Sequence, residues 1–226
     1  MRQAGRIEYG AGERPVVSVL TPVWNRAQYI GRVWQALMSQ TCKKFEWIVC
    51  NDGSTDGTLD EIIRLQAMSQ FPVTIVNATN HIGKARLDNQ SIAIAEGEFI
   101  VWCDSDDYFV PTAIERLLDA WESIPLPERS RFVGVTGLCA DNLGITDVDL
   151  PTAGVFDSSW NELSETHKIK VDLLSLVRSD LAKRHKFPEV DFVVPESALW
   201  TSIGDGRVRV VPEVLQIKEY EAPGCI

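Results

Sequence analysis

The sequence is short of cysteine, histidine, positive charge and long apolar runs, and each shortage removes a class of function. Its five cysteines, Cys42, Cys50, Cys103, Cys139 and Cys225, are odd in number, scattered and without a CxxC pair. Neither a disulfide framework nor a zinc knuckle is suggested, and a reducing cytoplasm fits best. His81, His167 and His185 lie far apart with no HxxxH spacing, which removes a histidine metal set. No apolar run approaches the roughly 18 residues of a membrane span, and residues 1–15, with Arg2, Arg6, Glu8, Glu13 and Arg14, lack the apolar core of a signal peptide. Lys and Arg number 22 against 32 Asp and Glu, a net charge of -10, which argues against binding to bulk nucleic acid. A phosphate ligand stays open, because backbone amides, one basic side chain or a metal can overcome the global sign. Also missing are a GxSxG elbow, a Walker lysine loop and a GxGxxG fingerprint after the first apolar run. Hydrolase, P-loop and ordinary dinucleotide readings lose their main supports.

What is present is an ordinary globular chain of 226 residues, 45% hydrophobic and 24% charged, long enough for a core that needs no cross-links. Val16 to Leu20 reads as a strand, and Ile30, Val33, Trp34, Leu37 and Met38 then recur at helical spacing. Phe45 to Cys50 is a second strand, followed by the helical Leu59, Ile62, Ile63 and Leu65. Val73 to Val76, a helix over Ala85 to Ala95, and Phe99 to Cys103 continue the series, and Pro111 opens a helix through Trp121. Strands alternating with helices need crossovers, which build a parallel sheet covered on both faces. After Pro125 and Pro127 the pattern changes. Phe132 to Ala140 reads as a strand, residues 141–168 are turn-rich with weak period and unassigned, and Lys170 to Ser175 follows as a further segment. Helices over Asp180 to Lys186 and near Ser197 to Ile203, then a β-like stretch from Arg207 to Tyr220, complete the chain. The expected class is α/β, with a mainly parallel central sheet, helices on both faces and a smaller mixed C-terminal part.

In open parallel sheets, ligands bind at the carboxyl ends of the strands. The residues that follow the apolar runs there are unusually polar: Thr21-Pro22-Val23-Trp24-Asn25, then Asn51-Asp52-Gly53-Ser54, then Asn77, then Asp104-Ser105-Asp106-Asp107. Carboxylates this close repel one another unless a cation lies between them, and hard oxygen donors of this kind suit Mg²⁺ or Mn²⁺, with a diphosphate supplying the remaining positions. The alternative is a solvated acidic turn that caps the next helix. Ser54, Thr55 or Asp56 could likewise simply cap a helix. Asn80 to Arg86 places a glycine and two cations, Lys84 and Arg86, at a helix start, where they either meet a phosphate or are ordinary surface charges.

The ordered set formed by Val16 to Asn25, Asn51 to Thr58 and Asp104 to Tyr108 with Pro111 resembles the family 2 inverting glycosyltransferases of GT-A fold, over roughly Pro15 to Tyr220. The resemblance implies an N-terminal arm (1–14) and one domain (15–226), divided into a donor half (15–110) and an acceptor half (111–226). It implies transfer of a sugar from a nucleoside-diphosphate sugar, with uridine the favoured nucleoside, to a hydroxyl acceptor that is a saccharide, a lipid-linked acceptor or a small molecule. Thr21, Pro22 and Asp52 would hold the nucleobase. Asn25, Gly53, Ser54, Lys84, Asp104 and Ser105 complete the donor set, and Asp104 and Asp106 match the DxD motif that holds Mg²⁺ or Mn²⁺. Asn89 occupies the place of a recurrent asparagine. Many relatives carry a Glu-Asp pair late in the chain; here Pro195-Glu196 stands in its place, so Glu196 is the expected base, with Asp191 as runner-up and Glu189 weaker. A second subunit is one way to complete the acceptor pocket, to which residues 141–167 would contribute. Trp24 and Trp160 are candidates for stacking on a sugar face, against the commoner fate of tryptophan in the core. Two other readings stand beside this one: a sugar nucleotidyltransferase, and a nucleotide-sugar binding module whose catalytic site is degenerate.

Overall fold

The computed structural model describes residues 14–219 apart from 145–147, 149, 151, 168, 170–171, 192–193, 196 and 205. Four strands, β1 (Val17–Val23), β2 (Phe45–Asp52), β3 (Val73–Ala78) and β4 (Phe99–Trp102), pair in parallel in the order β3-β2-β1-β4. Helices α1 (Ile30–Met38), α2 (Thr58–Met68) and α3 (Lys84–Ile94) form the crossovers between them. Every residue of β2 and of β4 is buried, as expected of strands covered on both faces.

Side-chain alternation along the strands divides the core into two layers. Val17, Val19, Phe45, Trp47 and Val49 pack with Ile30, Val33 and Leu37 of α1, with Ile62 and Leu65 of α2, and with Ile114 and Leu117 of α4 (Ala113–Glu122). Leu20, Ile48, Cys50, Ile100 and Trp102 face the other way, toward Leu87 and Ile92 of α3. Burial pushes the Cys50 thiol up to about 12, and Cys42, Cys50, Cys103 and Cys139 are all free.

The far end of the parallel strands is tied by a buried acid. Glu46 accepts from the Ser18 hydroxyl and from the Glu96 amide at 2.7 Å each, and Gly97 N–H donates to Ser18 Oγ at 2.9 Å. A Cβ on Gly97 would lie 2.6 Å from Ser18 N, so only glycine permits this approach.

Beyond β4 the same sheet continues through β8 (Leu173–Arg178), β6 (Phe132–Asp141), β9 (Arg207–Lys218) and β5 (Tyr108–Phe109), with β7 (Phe156–Ser159) also on β9. Here only β6 and β9 are parallel; the pairings of β4 with β8, β8 with β6, and β9 with β5 and β7 are antiparallel. The parallel character expected of the sheet therefore belongs to its first half. Helices α5 (Trp160–Glu165), α6 (Ser179–Arg184) and α7 (Ser197–Ile203) complete the chain.

The structure departs from the sequence expectation in three places. The unassigned stretch 141–168 contains β7 and α5, and β8 begins within the stretch from Lys170 to Ser175, to which no element was assigned. Pro111 does not open α4: its carbonyl accepts from Thr41 N–H at 2.9 Å, and the helix starts at Ala113 with Thr112 at its cap.

Candidate active site

Because β1, β2 and β4 run parallel, the polar residues at their carboxyl ends come together on one rim of the sheet. The loops after β1 and β2 are cross-braced. Asn25 N–H donates to Ser54 Oγ at 2.9 Å, and Asn25 Oδ1 accepts from Thr55 N–H at 2.8 Å. Among the described residues Asn25 alone has a positive φ without being glycine, at 52°. Asparagine tolerates that left-handed geometry better than most residues, and the two hydrogen bonds hold it there. Gly57, not Ser54, Thr55 or Asp56, occupies the cap of α2; Asp56 just before it accepts from the N–H groups of Ala27 and Thr58, and Ser54 is taken by Asn25.

Asp52 ends β2 almost fully buried. Its Oδ1 accepts from Ile82 N–H at 2.6 Å, and its Oδ2 accepts from Gly83 N–H at 3.0 Å and lies 2.9 Å from His81 Nδ1. A carboxylate offers about four acceptor positions, so one remains for a ligand N–H. Gly53, at φ 64°, is where the β2 loop meets the turn at Asn80: a Cβ there would lie 2.4 Å from the Asn80 carbonyl carbon. Trp24, 48% exposed, packs against the His81 ring with centroids 4.4 Å apart and the planes tilted by 31°. Thr21 is turned away from the crevice: it is buried, and its Oγ1 accepts from the Trp47 indole N–H at 2.9 Å, so its side chain is committed to the core. Pro22 beside it is partly exposed.

The acids after β4 are arranged unequally. Asp104 keeps 33% of its side chain exposed and lies 3.7 Å from Lys84 Nζ and 3.7 Å from Lys218 Nζ. Burial would raise its pKa, but the two ammonium groups together hold it below the usual carboxylate range. Asp106 lies 3.5 Å from Arg26 Nε. Asp107 is drawn into β9, accepting from Gln216 Nε2 at 3.0 Å and from Glu219 N–H at 3.1 Å, with Lys218 Nζ at 3.2 Å. Burial, reinforced by Asp104, pushes Asp107 up to about 6 against the pull of Lys218. Ser105 is buried between them in sequence.

Lys84, the first residue of α3, is itself oriented by Asp88, 3.1 Å away, whose other oxygen accepts from the Trp102 indole N–H at 3.1 Å. The fold thus brings Asp52, Lys84, Asp104 and Asp106 to one edge from three segments of sequence. Arg26, His81, Asp172 and Lys218 join them without having been singled out as members of the site. His81 sits inside the Asn80 to Arg86 stretch already noted and Arg26 directly follows the Val16 to Asn25 motif, but Lys218 and Asp172 are single charges in unremarkable sequence.

The candidate bases fare differently. Asn89 is structural: Oδ1 accepts from Phe187 N–H at 2.9 Å, while Nδ2 donates to Phe187 O and to Glu189 Oε1 at 3.0 Å each, which occupies Glu189. Asp191 is 94% exposed and pairs with Arg86 at 2.8 Å on the outer side of α3. Glu196 lies outside the described residues. No group of three or more His, Cys, Asp and Glu side chains forms a metal cage among the described residues. The donor chemistry of Asp104 and Asp106, two hard carboxylates two residues apart, the first partly exposed and the second largely buried, fits a divalent ion that would take its remaining ligands from a diphosphate and water.

Residues 18–127 match the model of glycosyl transferase family 2. These residues form a family 2 glycosyltransferase domain. Among curated relatives, the glycosyltransferase GlyG of Streptococcus pneumoniae is 33% identical over 198 residues, 76% of this chain and 64% of that protein. A chondroitin synthase of Pasteurella multocida is 39% identical over 104 residues, 46% of this chain. The chain spans only 11% of that synthase's length. Among solved structures, S. aureus TarS in complex with UDP-GlcNAc superposes with a TM-score of 0.66 at 22% identity, covering 90% of this chain and 58% of TarS. A mannosyltransferase from Pyrobaculum calidifontis in complex with GDP-Man and Mn²⁺ gives 0.68 at 23% identity, covering 94% and 59%. The described chain therefore has the GT-A-like α/β fold, built on one sheet. No helix among the described residues is long and apolar enough to cross a membrane.

Proposed function

We propose that the family 2 domain transfers a sugar from a nucleoside-diphosphate sugar, with uridine as the nucleoside, to a hydroxyl acceptor, with inversion at the anomeric carbon. The observation that carries this reading is the convergence of Asp52, Lys84, Asp104 and Asp106 on one rim of a parallel sheet. The two solved neighbours, one holding UDP-GlcNAc and the other GDP-Man with Mn²⁺, support a nucleotide sugar as the ligand class.

In this reading the open acceptor position of Asp52 receives the imide N–H of the base, and Pro22, Asn25, Gly53 and Ser54 shape the loop around it. Thr21 contributes backbone only, since its hydroxyl serves Trp47. Asp104 and Ser105 lie on the ribose and diphosphate side, and Asp106 with Asp104 would hold Mg²⁺ or Mn²⁺. When bound, such an ion supplies charge stabilisation to the departing diphosphate. Lys84, held in place by Asp88, adds a fixed cation next to the same leaving group, and its orientation is set before the donor arrives. The acceptor hydroxyl oxygen bonds to the anomeric carbon as the bond to the diphosphate oxygen breaks, and the hydroxyl proton passes to the base. We assign the base to Glu196, with Asp191 as second choice because its carboxylate is turned outward to Arg86. The free thiols at Cys42, Cys50, Cys103 and Cys139 support a cytoplasmic setting.

The test is product analysis with a panel of nucleotide sugars and Mn²⁺ or Mg²⁺. Release of a nucleoside diphosphate with inverted product configuration is expected, and release of pyrophosphate would instead mark a nucleotidyltransferase. Glu196→Gln should keep donor binding while turnover falls by about a hundredfold or more. Undiminished turnover in that variant would remove Glu196 as the base.

A further inference from the structure

Lys218 lies at the end of β9, where the strand is paired on both sides: Lys218 stands opposite Asp141 of β6, and Ile217 stands opposite Tyr108 of β5. Its ammonium is 3.2 Å from Asp107, 3.2 Å from Asp172 and 3.7 Å from Asp104, and only 15% of the side chain is exposed. Burial alone would lower its pKa, but Asp104, Asp107 and Asp172 more than offset this and hold the lysine firmly charged. Arg26 stands 3.5 Å from Asp106 and Lys84 3.7 Å from Asp104. Every acid of the Asp104-Ser105-Asp106-Asp107 segment thus already has a cation of the chain's own against it, and Lys218 is shared by carboxylates from two separate segments. A lysine on an exposed loop would leave such a place at little cost. Here strand pairing fixes the backbone and the three carboxylates hold the largely buried ammonium, so its charge is part of the rim.

We propose that Lys218 is a built-in counter-ion that keeps the acidic rim unreceptive to a divalent ion alone, so that metal and nucleoside diphosphate load together. The inference rests on the donor-site reading above. A divalent ion arriving by itself would face Lys218, Lys84 and Arg26 across a few ångströms of partly buried space, where like charges repel far more strongly than in water. A diphosphate brings the compensating negative charge, and the lysines then gain phosphate oxygens as partners in place of the carboxylates given over to the ion. Removing the Lys218 charge leaves Asp104, Asp107 and Asp172 short of a counter-ion, the condition under which clustered carboxylates take up a hard cation on their own.

The experiment measures free Mn²⁺ by electron paramagnetic resonance during titration of the full chain, with no sugar present and no turnover involved. Without nucleotide, Lys218→Met is expected to bind Mn²⁺ about tenfold more tightly than the native chain, and Lys218→Arg to bind like the native chain. Saturating UDP is expected to tighten Mn²⁺ on the native chain by about tenfold and on Lys218→Met by much less. Nucleotide-free Mn²⁺ affinity of Lys218→Met within about twofold of native would overturn the proposal. So would a native chain whose Mn²⁺ affinity is unchanged by UDP that it demonstrably binds, a result that needs no variant to fold. Failure of the native chain to bind UDP or GDP in the presence of Mn²⁺ would instead count against the donor site, and the nucleotide-free comparison would still decide the role of Lys218.

Discussion

The two halves of the sheet meet at β4 and supply the crevice in different ways. In β3-β2-β1-β4 all strands run the same way, so each carboxyl end reaches the same rim and brings a run of polar residues with it. Asn25 and Ser54, Asp52 and Gly53, and Asp104 and Asp106 are the product. From β4 onward the pairing is mixed, and what reaches the rim is whatever happens to flank a strand there: Asp172 just before β8, and Lys218 at the end of β9. A parallel array writes a site as contiguous motifs, whereas a mixed array contributes isolated charges that become meaningful only once the strands are paired. The buried acid Glu46 makes the same point from the opposite end of β1 and β2, where a carboxylate is wholly absorbed in tying loops together.

The sharpest way to break this contrast is to damage each half separately. Gly134 of β6 lies so close to β8 that a Cβ would meet the Leu176 carbonyl oxygen at 1.9 Å. Gly134→Ala should therefore force the second half open and cost about 3 kcal/mol of stability, read by urea unfolding. Gly53→Ala acts on the first half. It meets the backbone at Asn80 at 2.4 Å and must also hold a φ of 64°, yet the strain falls on a loop that can shift. A loss of about 1–2 kcal/mol is expected, with nucleotide affinity suffering more than stability because the Asp52 turn is displaced. If instead Gly53→Ala binds nucleotide as the native chain does, the cross-brace between β2 and the Asn80 turn is not part of the site. The smallest effect belongs to the outer face of the second half. Arg116 of α4 and Glu213 of β9 form a half-exposed ion pair at 2.5 Å. Arg116→Ala should change stability by only about 0.5 kcal/mol, measured by the same unfolding, because solvent screens such pairs.

Much of the first half was legible because its strands are apolar runs and α1 and α2 carry a plain 3.6-residue period. Even there, the end of β1 extended three residues past the expected Leu20, through Thr21, Pro22 and Val23, since polar and proline residues at a strand end still pair with a parallel neighbour. The burial of the Thr21 hydroxyl was not legible, because which face a residue presents depends on register with Trp47 in another strand. Pro111 looked like a helix opener but serves as an acceptor for Thr41, a tertiary contact that no local pattern encodes. β5 is two residues long and β7 four, too short for period 2 to declare itself. Lys218 alternates with apolar neighbours as any exposed strand lysine would, and only the antiparallel return of β8 beside β4 shows that it faces three carboxylates.

The central claim is that the rim at the ends of β1, β2 and β4 binds a nucleoside diphosphate together with a divalent ion held by Asp104 and Asp106. It is tested most directly by calorimetric titration of UDP and GDP into the native chain with and without Mn²⁺, repeated on Asp106→Asn. The account predicts binding of UDP that requires Mn²⁺ and is weakened by about tenfold or more in the variant, a change of at least about 1.4 kcal/mol. Undiminished Mn²⁺-dependent affinity in Asp106→Asn, or no binding of either nucleotide to the native chain, would contradict it.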